Sequence, residues 1–244
     1  MTPLAANSPA VVTTEPLCAS QDKESYVMKK TVITTIILVI STSNLICQNK
    51  ASDLILKLEH GIELKAKPAY PNEEVSTYNF LEIFQNEKLI YKDESLTEYT
   101  IEDSLYPKLY KFKYHLELLI EIDGRPNKNE VRCFLIKNQK LEKIDTLPTF
   151  LTRPKDLDND KKLEYAGFWQ FGETWGDKNE VTGYNPIVFY ELTENGIVLD
   201  SVTTKKVNSN IYGEFKGFYY NEQIEIPNEK MKDFSAEIER ILKK

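Results

Sequence analysis

The sequence predicts an all-β protein: antiparallel sheets built from repeated hairpin units of roughly 50 residues, propeller-like or a β-sandwich, with one C-terminal helix. Three observations lead there. Fourteen Tyr and eleven Phe, many alternating with charged residues, suit half-buried pleated surfaces better than helices. Apolar residues recur at every second position over two long stretches, which is the period of a strand with one face inward. A strand-turn-strand pattern from Phe134 to Leu147 aligns without gaps with Phe189 to Val202, and a fainter copy runs from Ile83 to Asp93.

The bulk composition limits the function. A chain of 244 residues with 41% hydrophobic and 28% charged residues can bury a full core. Its net charge of -7 argues against nucleic acid as a partner, because binding the phosphate backbone requires a basic face that releases counterions. Cys18 and Cys47 fall in segments expected to be absent from the mature protein. Cys133, set in Val131-Arg132-Cys133-Phe134-Leu135, reads as a small buried hydrophobe.

Residues 1–27, rich in Ala, Pro, Ser and Thr without periodicity, read as a disordered or non-native leader. Met28-Lys29-Lys30 followed by the apolar run Val32 to Ile40 has the charged start and short hydrophobic centre of a secretory signal, placed at residues 28–47. Translation is then expected to start at Met28 and the mature chain at Gln48. A lipid on Cys47 and an uncleaved anchor are the alternatives, although the run falls short of the ~20 residues that a span needs. Each of the three puts the remainder, a single β-rich domain over 48–244, outside the cytoplasm: periplasmic, surface-bound or secreted. Membrane contact is expected only through the signal or a lipid at Cys47.

Within that domain, Leu54, Leu56, Leu58, Ile62, Leu64 and Ala66 alternate inward, interrupted by His60 and Gly61. His60 falls on the inward face, and with His115 as the second histidine no His-rich metal site is predicted. Tyr110 to Ile122 reads as one long strand with His115, Glu117 and Glu121 outward, ending in an Asp123-Gly124 turn. Glu164-Tyr165-Ala166-Gly167-Phe168-Trp169 recurs as Glu214-Phe215-Lys216-Gly217-Phe218-Tyr219. The stretch Asn228 to Leu242 is the one clear helix, capped by Asn228 after Pro227, with Met231, Phe234, Ile238, Ile241 and Leu242 along one stripe.

The chemistry concentrates in Asp156-Leu157-Asp158-Asn159-Asp160-Lys161-Lys162-Leu163-Glu164. Acidic side chains at alternate positions let a short loop turn its oxygens onto a hard cation, which takes six to eight of them. Asp156, Asp158 and Asp160 would give side-chain oxygens, Lys162 its carbonyl and Glu164 the last oxygen, so Ca2+ is the expected cofactor. The spacing is not that of an EF-hand, because Gly167 stands where the bidentate Glu would be. The stretch resembles the Asp-x-Asp-x-Asp-Gly loop of integrin-type FG-GAP and VCBS repeats, a resemblance that implies calcium held within a β blade. It departs from that pattern at Lys161, which takes the Gly place where a sharp turn favours positive φ.

Downstream, Trp169, Trp175 and Tyr184 suggest an aromatic surface for a glycan or protein ligand, since aromatic anchors supply much of the energy of such sites. Glu173 and Asp177 could be imagined as a glycosidase pair, but nothing in the sequence fixes the separation that this chemistry requires. Serine elbows, phosphate-binding glycine loops and zinc spacings are missing from the sequence. The reading is therefore an exported calcium-binding scaffold that acts by binding. An element order similar to β-sandwich periplasmic lysozyme inhibitors is the alternative, and a carbohydrate-active enzyme the second alternative. Three tripeptides, at Asp103, Asp145 and Asp200, resemble bacterial O-glycosylation acceptor sites.

Overall fold

The computed structural model describes residues 53–244 apart from 72–76, 102–104, 125–127, 170–173, 177 and 179–180. The leader, the signal, the processing site at Cys47, Glu173, Asp177 and the Asp103-Ser104 pair lie outside the described residues.

The described chain is mostly antiparallel sheet. β1 (Leu54–Lys57) and β2 (Ile62–Pro68) form the first hairpin, joined by a 3-10 turn at Glu59–Gly61. Leu54, Ile62, Leu64 and Ala66 are buried as the alternation predicts. His60 is not on the inward face: at φ 56 it sits exposed in the turn, which breaks the strand's period at that residue.

Next come β3 (Thr77–Gln85), β4 (Lys88–Lys92), β5 (Tyr99–Thr100), β6 (Lys108–Lys111), β7 (Leu116–Gly124), β8 (Lys128–Lys137) and β9 (Lys140–Phe150). β10 (Glu164–Phe168), β13 (Val188–Thr193) and β14 (Gly196–Leu199) complete a 12-stranded sheet in the order β1-β2-β3-β5-β7-β8-β9-β10-β13-β14, with β4 on β3 and β6 on β7. β11 (Thr174–Trp175), β12 (Val181–Tyr184) and β15 (Asn221–Pro227) make a separate 3-stranded sheet.

The hairpin repeat is real in part. The β3/β4 turn at Asn86 and Glu87 and the β8/β9 turn at Asn138 and Gln139 hold all four residues at positive φ, between 49° and 67°. That is the two-residue form whose twist matches the flanking strands. Both hairpins also carry a bulge at the same place. Ile83 faces Tyr91 and Phe84 faces Leu89, just as Leu135 faces Lys143 and Ile136 faces Leu141. The β13/β14 hairpin, the stronger match by sequence, is built differently: Thr193 faces Gly196, the turn lies one residue later in the alignment, and its register runs without a shift.

Two stretches read as strand fold otherwise. Tyr110 to Ile122 is β6 and β7 paired with each other, closed by a tight turn in which the Phe112 N–H donates to the His115 carbonyl at 2.9 Å. The alternation runs on in phase through the turn, so period alone does not reveal the reversal. β7 is buried on both faces, and Glu117 and Glu121, predicted outward, are 6% and 8% exposed. Leu199 to Val202 likewise does not continue a strand. Asp200 Oδ1 accepts the N–H groups of Val202 and Thr203 at 3.0 and 2.9 Å and caps helix α1 (Ser201–Tyr212), so the C-terminal helix is not alone. Val202, Thr203, Thr204 and Val207 are β-branched and poor helix formers, which hides α1 from a propensity reading.

The stretch Glu214 to Tyr219 also differs from its supposed copy at Glu164: it is an irregular connection, not a strand. The closing helix α2 (Met231–Lys243) follows a 3-10 turn at Asn228–Lys230, with Phe234 and Ile241 buried and Leu242 half exposed at 51%.

Three cores result. Leu64, Leu81, Ile83, Leu118 and Phe134 lie in the first; Leu157, Tyr184, Phe189, Ile211 and Phe234 in the second; Leu119, Val131, Phe150 and Tyr165 in the third. Each such side chain contributes about 1.5–3 kcal/mol on burial. The third core exists because the sheet curls. Tyr110 on β6 meets Tyr165 on β10, and the Ile197 N–H on β14 donates to Glu117 Oε2 on β7 at 3.2 Å.

Candidate metal site

The acidic loop is closed at its base by a bridge between Lys155 and Glu164, whose peptide groups exchange hydrogen bonds of 3.0 and 2.7 Å. Inside it, side-chain carboxylates fold the backbone by accepting its N–H groups, the local bonding for which Asp is favoured in turns. Asp156 Oδ1 accepts from Asn159 at 2.7 Å and Oδ2 from Lys161 at 3.2 Å. Asp158 accepts from Asp160 at 3.0 Å, Asp160 from Lys162 at 2.8 Å, and Glu164 Oε2 from Leu157 at 2.6 Å. The tight path holds Asn159 and Lys161 at φ 72° and 74°. Lys161 thus adopts the conformation that glycine would take more cheaply.

Asp156, Asp158 and Glu164 each place one carboxylate oxygen within 4.8 Å of the others. Glu164 is only 3% exposed, and its carboxyl is raised above the usual range by burial first and then by the charges of Asp158, Asp160 and Asp156, against the Leu157 N–H that lowers it. Such a group favours neutralisation, by a proton or by a cation.

Asp160 is drawn elsewhere. Its carboxylate is lowered by the Lys162 N–H and by the Lys162 ammonium, which lies 3.3 Å from Oδ2 and also binds Glu191 at 2.9 Å. Of the four predicted carboxylate ligands, three converge, whereas Asp160 pairs with the Lys162 ammonium. Lys162 enters the loop through its ammonium, a contact that the expected carbonyl role did not foresee.

The loop is anchored from two sides that sequence reasoning missed. Leu157, 1% exposed, plugs into the second core beside α2. From α2, Arg240 donates to the Leu157 carbonyl at 3.1 Å, and just beyond it Lys244 Nζ reaches the carbonyls of Asp156 and Leu157 and the side chain of Asn159, at 3.1, 2.7 and 3.0 Å. The only sequence signal for this was the basic residues in the last turns of the helix. An all-oxygen carboxylate set suits a hard cation such as calcium, and the absence of nitrogen or sulfur donors from the trio makes zinc a poor fit.

The aromatic trio does not form the exposed face expected of it. Tyr184 is fully buried, giving its hydroxyl proton to the Gly217 carbonyl at 3.0 Å and packing edge-on against Tyr212. Trp169 is 7% exposed, its Nε1–H donating to the Phe218 carbonyl at 2.7 Å and its ring lying 5.2 Å from that of Tyr219. These two close the core because the irregular connection at 214–219 folds over them. Trp175 alone stays partly exposed, paired with Val181 at the edge of the small sheet.

No known protein family matches this chain, and neither a curated protein nor a solved structure was found to resemble it.

Proposed function

We propose that this protein is a calcium-binding β-scaffold that works outside the cytoplasm by binding a protein or glycan partner, with no chemistry of its own. One observation carries the metal reading: the carboxylates of Asp156, Asp158 and Glu164 converge, and Glu164 is buried at the point of convergence. Calcium there would supply positive charge to a buried carboxylate and tie the base of the loop to its tip. The extracytoplasmic placement draws on the charged start and apolar run of residues 28–47.

Three converging carboxylates and a strained Lys161 favour weak binding, with a Kd of about 10⁻⁴ to 10⁻³ M, as in extracellular modules. At ~2 mM calcium that affinity stabilises the fold by about 0.6–1.8 kcal/mol. A domain of this size then melts roughly 1–7 °C higher in calcium than in chelator. Calorimetric titration with calcium and with magnesium, run beside melting curves, is the test. A melting curve that is the same in calcium and in chelator would reduce the stretch to an ordinary acidic turn.

A further inference from the structure

A second feature lies on the other side of the loop's base. Between β6, β10 and β13 the curled sheet leaves a pocket of about 450 Å³, walled by Tyr110, Tyr165, Leu163 and Leu192 and flanked by Lys108 and Arg153. The volume is within the range of small-molecule sites, which combine apolar walls with a few placed polar groups. In a chain of net charge -7, none of the described residues lining this pocket is acidic. We propose that the pocket binds a small organic anion with an apolar or aromatic body.

Three features define that ligand. The leucines and tyrosine rings provide an apolar bed for a flat or branched body. Lys108, whose Nζ stands 5.9 Å from the Tyr110 ring centroid, and Arg153 both line the pocket and carry positive charge. The hydroxyls of two further lining residues, Tyr110 and Tyr165, lie 2.5 Å apart. Whichever phenol donates in that bond, the other keeps a proton for a ligand oxygen. Burial raises both phenols, so the pair remains a donor at neutral pH. Cationic side chains and an O–H donor recognise a carboxylate or a phosphate ester alike, through charge-assisted hydrogen bonds. A neutral ligand would gain the apolar walls and at most an uncharged hydrogen bond from the tyrosine pair, and a cation would meet like charge.

The experiment uses naphthalene-2-carboxylate, naphthyl phosphate, the neutral 2-naphthamide and a naphthylmethylammonium as probes, titrated calorimetrically into the full chain. Each titration is run both in calcium and in chelator, so that its result does not depend on the acidic loop taking a metal. One or both anions should bind saturably, about tenfold or more tighter than the amide, with the ammonium weakest. Which anion binds better separates a carboxylate from a phosphate as the natural group. The double variant Lys108→Gln/Arg153→Gln, made at surface positions, should remove most of the anion's advantage over the amide. Leu192→Trp, which narrows the pocket at one wall, should weaken binding of every probe at least tenfold, and its melting curve reports whether the fold survives. No saturable binding of either anion, equal binding of anion and amide by the wild-type chain, or anion affinity unchanged in a folded Leu192→Trp variant overturns the proposal.

Discussion

The Glu164 carboxylate accepts the Leu157 backbone N–H at 2.6 Å, while the Leu157 side chain is buried in the second core and Glu164 opens strand β10. This bond joins loop, strand and core at one point. Glu164 is therefore held by the fold, whereas Asp156 and Asp158 are placed beside it by the loop's own backbone bonds.

The arrangement separates two aspartates that look equivalent in sequence. Asp158→Ala removes a converging oxygen and, on the calcium reading proposed above, should abolish the rise in melting temperature expected with calcium. Asp160→Ala removes a group already paired with Lys162 and should leave most of that rise in place. Melting curves of both variants in calcium and in chelator check this, and equal losses would return Asp160 to the ligand set.

Helix α2 should matter to the loop through packing. Phe234 is 8% exposed, meets Phe168 edge to face with ring centroids 5.8 Å apart, and shares the second core with Leu157. Phe234→Ala should cost about 3–5 kcal/mol, as buried Phe truncations do. Urea unfolding measures the loss. A loss under ~1 kcal/mol would mean that the site collapses freely or that α2 packs weakly.

Stability at acid pH should depend on Asp93. Burial pushes its carboxyl up, but bonds from Ser95 and Tyr99 and the Arg132 guanidinium 3.1 Å away outweigh burial and hold it down from 3.8 to about 2. A depressed carboxylate stabilises the folded state above its unfolded value, so this contribution is complete above about pH 4 and lost as pH falls through about 2. Its size is about 2 kcal/mol at most. Unfolding free energy followed from pH 5 to 2 should fall less steeply in Asp93→Asn than in the wild type. Parallel slopes in the two proteins would show that other groups govern the acid limb.

Cys133 should be inert in the native state. It is 7% exposed, and its thiol is pushed up by burial and by neighbouring Glu117 and Asp145, which disfavours the reactive thiolate. Iodoacetamide labelling at pH 8, read by mass spectrometry on the peptide that contains Cys133, should require denaturant. Rapid native labelling of that peptide would mean that β8 opens locally.

Much of this architecture was legible in the sequence because strands with one wet face must alternate. β1, β2 and the interiors of the hairpin repeat could be read from period and turn residues such as Asn138-Gln139. The acidic loop was visible as alternate carboxylates before an apolar strand, a pattern that suits a tight Asp-rich turn. The sequence determined these local forms, together with the amphipathic stripe of α2. What the tertiary structure decided is which local forms were interrupted and which residues meet. The turn between β6 and β7 lies within an unbroken alternation, and α1 is made from β-branched residues that only its Asp200 cap and its packing hold in a helix. Tyr110 and Tyr165 meet because a twelve-stranded sheet curls on itself, a long-range closure that no window of sequence contains. Asp156, Asp158 and Glu164 were separated from Asp160 by the pairing of Lys162 with Asp160 and with Glu191 of a neighbouring strand. Spacing sets which groups can reach a common point, but side-chain partners from distant strands decide which of them arrive.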